Sequence, residues 1–150
     1  ETETETIVLP REKDDTDTFF GAKEGVKRGF EDFLLIGVIG GRFDHSLGNI
    51  SALLYLTGLG KKALIIDDYS SMEVVSSKPC FIHDNVQYFS VLNIDGKAKG
   101  ITIKNAQYPL ENAEITWDYQ YGISNQVLPG KTAEVTTQEG RLLLVKVYRE

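Results

Sequence analysis

The apolar run Phe33 to Ile39 (FLLIGVI) ends on two glycines, and the next hydrophobic rhythm in the chain has helical spacing. That junction limits the possible folds more than any other stretch. Phe33–Ile39 is short and β-branched enough to read as a buried strand. Ser46 to Gly58, in which Leu47, Ile50 and Leu54 recur, reads as a helix. A buried strand that passes through glycine into a helix is the building unit of parallel α/β sheets, whose ligands bind just outside the carboxyl ends of the strands. Between the two elements lies Gly40-Gly41-Arg42-Phe43-Asp44-His45. Glycine lets backbone N–H groups approach a phosphate, and Arg42 adds a planar fork of donors suited to phosphate oxygens. Asp44 beside that cation is an odd choice for a pure anion site, and makes sense if a divalent metal shares it. The plainer alternative is a strand–helix turn with Asp44 as N-cap and Arg42 solvated.

Upstream, Ile7–Leu9 is a minimal strand ended by Pro10, and Arg11–Asp17 is a dense polar loop. Thr18–Phe30 reads as an amphipathic helix with Phe19, Ala22, Val26 and Phe30 on one stripe. The segment Lys13-Asp14-Asp15-Thr16-Asp17 sits at its start, on the same sheet edge as Gly40–His45. Helix capping and the helix dipole explain one or two of these acids at about 0.3–1 kcal/mol each, but do not require three. A bound Mg²⁺ would relieve their mutual repulsion, since it uses one or two carboxylates plus phosphate oxygens. Ala63–Asp67 is a third strand, so residues 1–70 predict an α/β parallel-sheet portion.

Beyond Asp68 the periodicity changes. Short strand-like runs recur at Met72–Ser76, Cys80–His83, Gln87–Asn93, Gly100–Ile103, Ala113–Tyr119, Thr132–Thr136 and Leu142–Tyr148. Asp95-Gly96, Pro129-Gly130 and Glu139-Gly140 mark turns among them. Residues 71–150 therefore predict an all-β antiparallel sandwich, with Leu142, Leu144 and Val147 on one core face and Trp117 in the packing. Tyr108-Pro109-Leu110 leaves an aromatic ring beside a rigid bend, and Gly122-Ile123-Ser124-Asn125 places two small hydrogen-bonding side chains after a glycine. On spacing alone both read as turns or strand ends.

Several classes of function are excluded. A net charge of −6 argues against general binding of nucleic acid or anionic membrane, so an anionic substrate needs local cations or a metal. No apolar run reaches about 18 residues, the length a membrane helix needs. The single Cys80 rules out an intrachain disulfide and fits a reducing compartment, hence a cytoplasmic protein. There is no Walker-type loop, no spaced dinucleotide fingerprint and no Gly-x-Ser-x-Gly elbow. His45, His83 and Cys80 cannot build a structural zinc site of the usual type.

Taken together, KDDTD at 13–17, GGRFDH at 40–45, Tyr108-Pro109-Leu110-Glu111-Asn112 and GISN at 122–125 resemble the thiamine pyrophosphokinase family, in its motif order and over practically the whole chain. The resemblance implies an α/β catalytic domain followed by a β-sandwich, and a homodimer with active sites between subunits. The implied reaction is thiamine plus ATP giving thiamine diphosphate and AMP, with Mg²⁺. It places Lys13, Thr16, Asp17, Gly41 and Arg42 around the nucleotide, with Asp17, Arg42 and Asp44 as the catalytic set and Asp17 and Asp44 on the metal. Tyr108 matches a position that is aromatic in the family and packs on thiamine; Ser124 and Asn125 match its Ser-Asn pair near the thiamine ring. The family also carries an amino-terminal stretch with further metal-binding aspartates, and this sequence begins after the position of that stretch. The alternatives are a non-catalytic dimeric ligand-binding fragment and a nucleotide-dependent phosphotransferase with another acceptor.

Overall fold

The computed structural model describes residues 6–8 and 15–148. Helix α1 (Asp17–Lys27) starts where Thr16 turns its hydroxyl to the Phe19 N–H at 3.2 Å. Asp17 at its amino end and Lys27 at its carboxyl end both complement the helix dipole. It stops short of the expected Phe30 because Gly29 takes a left-handed φ of 84°, and Phe30 is left exposed. Strand β1 (Asp32–Ile36), helix α2 (Phe43–Gly58) and strand β2 (Lys62–Ile66) follow, and β1 pairs parallel with β2, Leu35 opposite Ile65. This is the strand–helix–strand unit read from the sequence. Of the expected first strand, Ile7 and Val8 belong to no strand and Leu9 lies outside the described residues.

The chain then reverses at Asp67, whose carboxylate accepts from the Tyr69 N–H, the Ser70 N–H and the Ser70 hydroxyl at 2.8, 2.6 and 3.0 Å. The reversal sends β3 (Ser70–Val75) antiparallel to β2. Six more strands complete the fold: β4 (Cys80–His83), β5 (Tyr88–Asn93), β6 (Lys97–Lys104), β7 (Leu110–Thr116), β8 (Thr132–Thr136) and β9 (Leu142–Val147). They form a five-stranded sheet in the order β1-β2-β3-β9-β5 and a four-stranded sheet in the order β4-β8-β6-β7. The five-stranded sheet thus runs without a break from the α/β portion into the sandwich.

Strand alternation explains how one sheet serves two cores. Leu142 and Leu144 of β9 pack with Val75, Phe89, Val91 and the inner residues of the four-stranded sheet. Leu143 and Val145 point the other way and pack with Leu35, Ile65, Ala52, Leu53 and Leu56 beneath the helices. The resulting layers are helices, five-stranded sheet and four-stranded sheet. Val147 falls on the helix side by alternation; the residue that shares the face of Leu142 and Leu144 is Lys146, which is paired with Glu73 at 2.5 Å. Trp117 lies at the surface, 66% exposed, and contributes nothing to the sandwich core; Phe89 is the large aromatic residue there. Among the described residues no helix is long and apolar enough to cross a membrane.

Replacing Leu144 by alanine removes a side chain shared by β9 and the four-stranded sheet, and should lower unfolding free energy by about 2–5 kcal/mol. Urea unfolding measures this. A loss below about 1 kcal/mol, the range of a surface substitution, would mean that β9 is not the centre of the core.

Candidate functional site

Between β1 and α2 the chain turns through Gly37, Gly40 and Gly41, at φ of 70°, 109° and 62°. These are conformations that side chains with a Cβ rarely adopt. Two polar residues on the inner face of α2 fasten this loop. The Gly40 N–H donates to Ser46 Oγ at 3.1 Å, and Asn49 Nδ2 donates to the Val38 carbonyl at 2.6 Å. Both side chains are buried, Asn49 to 6% exposure, and Asn49 Oδ1 has no partner among the described residues. Sequence reasoning missed them. The available signal was that the buried face of α2 is polar at Ser46 and Asn49 and turns apolar only from Ala52 onward.

Helix α2 begins earlier than its apolar rhythm, at Phe43, with Arg42 as the N-cap residue and no side-chain cap bond. Asp44 is therefore not the cap; it lies in the first turn. Arg42 Nε and Nη2 donate to Asp44 Oδ1 and Oδ2 at 3.1 and 2.5 Å, and the His45 N–H donates to Oδ1 at 3.0 Å. The guanidinium's hydrogen bonds hold the Asp44 carboxyl below the usual carboxylate range, and Asp44 in turn raises the pKa of Arg42. Both groups stand in solvent, so water screens the pair.

Arg42, Gly40, Val38 and Asn49 form one side of a hollow of about 640 Å³; Asp15, Thr16, Asp17 and Thr18 at the start of α1 form the other. Two helix amino termini open here, and such ends favour anions. The Thr16, Asp17 and Arg42 singled out in the sequence are thus brought together. Gly41 lies in the same loop and Asp44 faces Arg42, and neither lines the hollow. Lys13 is outside the described residues. No group of three or more His, Cys, Asp or Glu is assembled among the described residues. Asp15 and Asp17 are the carboxylates that line the hollow, the donor type and number that a Mg²⁺ ion taking its other ligands from phosphate and water would use. Asp15 pairs with Lys23 at 2.8 Å, and Asp17 lines the same hollow at the first turn of α1. A larger groove of about 790 Å³ runs along β1, β2 and β3 past Glu73 and Lys146. It contains none of the residues that carry the expected chemistry.

The second constellation lies in the sandwich. Residues Gly122–Asn125 run beside β5: the Val91 N–H donates to the Gly122 carbonyl at 2.7 Å, and Phe89 and Asn125 exchange backbone bonds. Gly122 is required, because a Cβ there would lie 2.5 Å from a Val91 methyl. Ser124 adopts a φ of 56° and gives its N–H to Ser90 Oγ at 3.0 Å. Tyr108 presents its ring to solvent at 61% exposure, whereas Asn125 is buried at 3%. None of Tyr108, Ser124 and Asn125 lines the hollow at Arg42.

Residues 1–65 match the family model described as Thiamin pyrophosphokinase, catalytic domain, and residues 81–142 match Thiamin pyrophosphokinase, vitamin B1 binding domain. The chain is 26% identical over 141 residues to a thiamine pyrophosphokinase of Bacillus subtilis (strain 168), covering 93% of this chain and 65% of that protein. It is also similar to the crystal structure of thiamine pyrophosphokinase from Bacillus subtilis, with TM-score 0.83 and 25% identity over 93% of this chain and 65% of that one. For thiamin pyrophosphokinase from Geobacillus thermodenitrificans the TM-score is 0.80 at 25% identity, over 94% and 65% of the two chains. The chain thus spans about two thirds of the length of these relatives.

The Arg42–Asp44 pair makes a measurable prediction. Asp44 should titrate below the ordinary carboxylate range, and Arg42→Gln should move it upward. Because the folded-state pKa is depressed, whatever the pair contributes is present at neutral pH and lost as pH falls through that pKa. Carboxyl-carbon NMR titration of Asp44 is the check. An unchanged pKa in Arg42→Gln would show that the two side chains are not paired in solution.

Proposed function

The chain belongs to the thiamine pyrophosphokinase family, and on that premise we propose that the protein carrying it transfers pyrophosphate from ATP to the hydroxyl of thiamine. The oxygen of thiamine's primary alcohol forms a bond to the β-phosphorus, the bond from that phosphorus to the α–β bridging oxygen breaks, and AMP leaves. Thiamine diphosphate is the other product. The observation that carries this reading is the hollow where Arg42, the glycine loop and two helix amino termini converge.

The chain's own groups have a clear division of work in this reaction. Little covalent chemistry falls to the protein in phosphoryl transfer, so positioning and charge neutralisation dominate. Thr16, Asp17, Gly41 and Arg42 hold the nucleotide, and Lys13 belongs to the same set. The Arg42 fork is directed at Asp44. A phosphate drawing Arg42 away would free the Asp44 carboxylate to join Asp17 near Mg²⁺. The metal, when bound, would neutralise charge on the transferring phosphates. Tyr108 forms an aromatic wall for the thiamine cation, with Ser124 and Asn125 beside it. We assign the nucleotide end to residues 1–70 and the thiamine end, with dimerisation, to residues 71–150. Tyr108, Ser124 and Asn125 do not line the hollow at Arg42, which is compatible with the family's arrangement of a site completed between two chains of a homodimer.

The test uses the full-length protein with Mg²⁺, ATP and thiamine. AMP and thiamine diphosphate should form in equal amounts; ADP with thiamine monophosphate would contradict the reaction. Arg42→Ala should lower kcat by roughly 10²–10³-fold, the usual cost of one preorganised charge-stabilising group, with the fold retained. Near-normal turnover would remove Arg42 from the phosphates. Mixing Arg42→Ala and Tyr108→Ala proteins should restore part of the activity, since a heterodimer then holds one intact composite site. No recovery despite proven subunit exchange would place both residues in one subunit's site.

A further inference from the structure

Asn125 turns both ends of its carboxamide to Tyr108. Its Oδ1 accepts the Tyr108 N–H at 3.0 Å, and its Nδ2 donates to the Tyr108 carbonyl at 2.7 Å. The same Oδ1 also accepts the Gln126 N–H at 2.9 Å. The carboxamide thus acts as a short length of strand, satisfying both backbone groups of one residue on the neighbouring segment. It is 3% exposed, so little of it is open to a ligand, while the Tyr108 ring it anchors is open to solvent. The support beneath it is rigid. Asn125 exchanges backbone bonds with the fully buried Phe89 at 2.8 and 2.9 Å, and the Gln107 N–H reaches the Gln126 carbonyl at 2.8 Å.

We infer that Asn125 is a positioning residue that acts on the substrate through Tyr108, by fixing the backbone from which the ring projects. Pro109 follows directly and restricts Tyr108 to extended backbone, so the ring is held from both sides. An aromatic wall selects a flat cation only if the ring face stays where the cation binds. Ser124 differs: it is exposed, and among the described residues its engagement is through the backbone N–H, with Ser90 Oγ. Direct contact with the ligand at this corner falls to Tyr108 and Ser124, and Asn125 works behind them.

This inference rests on the reading of Tyr108 as a thiamine wall, and a double-mutant cycle in the full-length protein separates the two. Tyr108→Ala should raise KM for thiamine by several-fold to about 30-fold, with KM for ATP unchanged. Asn125→Ala should do the same to a similar or smaller extent. The double variant should be no worse than Tyr108→Ala alone, because a positioning residue has nothing left to position. Additive losses would overturn the inference by showing that Asn125 touches the ligand itself. No effect of Tyr108→Ala would overturn the thiamine wall, and the inference with it. Amide hydrogen exchange by NMR supplies the readout free of activity. In Asn125→Ala the Tyr108 N–H should lose protection, while the Phe89 N–H, held by the Asn125 backbone carbonyl, should keep it. Loss at both would mean that the segment has unfolded; Asn125→Asp, which keeps an acceptor for the Tyr108 N–H, then repeats the cycle. Retained protection of Tyr108 in Asn125→Ala would overturn the anchoring role.

Discussion

Strand β9 is hydrogen-bonded along both edges, to β3 and β5, and buried on both faces. Leu142 and Leu144 fill the space toward the four-stranded sheet, and Leu143 fills the space toward α2. Each such side chain contributes roughly 1.5–3 kcal/mol by leaving water. The larger consequence is geometric. Because one strand supplies the floor of both cores, the helical layer and the second sheet cannot shift independently. The hollow at Arg42 and the corner at Tyr108 are thereby carried on a common frame.

On that frame the chemistry sits at loops, where backbone polar groups are free to meet a ligand. At one end the glycine loop is held from beneath by Ser46 and Asn49, which fixes the backbone that leads into Arg42. At the other, Asn125 and Pro109 hold the Tyr108 backbone. In both places a buried side-chain amide, Asn49 on α2 or Asn125 bridged to β5, fixes a neighbouring segment by hydrogen bonds to its backbone. The exposed residue proposed to meet the ligand, Arg42 or Tyr108, is then left with its side chain outward. Organising a site this way lowers the ordering cost that binding would otherwise incur.

Much of this was legible in the sequence. The β1–α2–β2 unit followed from an apolar run, a glycine pair and a change of period from two to 3.6. The sandwich strands followed from alternation and from turns such as Glu139-Gly140, where a Cβ on Gly140 would lie 2.1 Å from the Lys97 carbonyl. The continuity of the five-stranded sheet was not legible, because pairing of β9 with β3 links residues far apart in sequence and leaves no local period. Trp117 was misplaced for a related reason: alternation marks a face without saying whether anything covers it, and Trp117 follows the end of β7. Arg42 and Asp17, which the fold brings to one hollow, were singled out because their chemistry shows in the residue type. Ser46 and Asn49 were passed over because a polar residue on a helix is usually solvated, and only tertiary contact reveals these two as buried. The roles expected of Tyr108 and Asn125 came from the family resemblance; their mutual hydrogen bonds came only from the structure.

The central claim is that nucleotide and thiamine occupy two separate places on this chain. Hydrogen exchange of the full-length protein, followed by mass spectrometry with each ligand in turn, tests it directly. Mg²⁺ with a non-hydrolysable ATP analogue should slow exchange in the segments covering 15–20 and 37–46 and leave 105–110 and 121–126 unchanged. Thiamine alone should do the reverse. Protection of all four segments by either ligand alone, or of the 105–126 region by the nucleotide, would contradict the account.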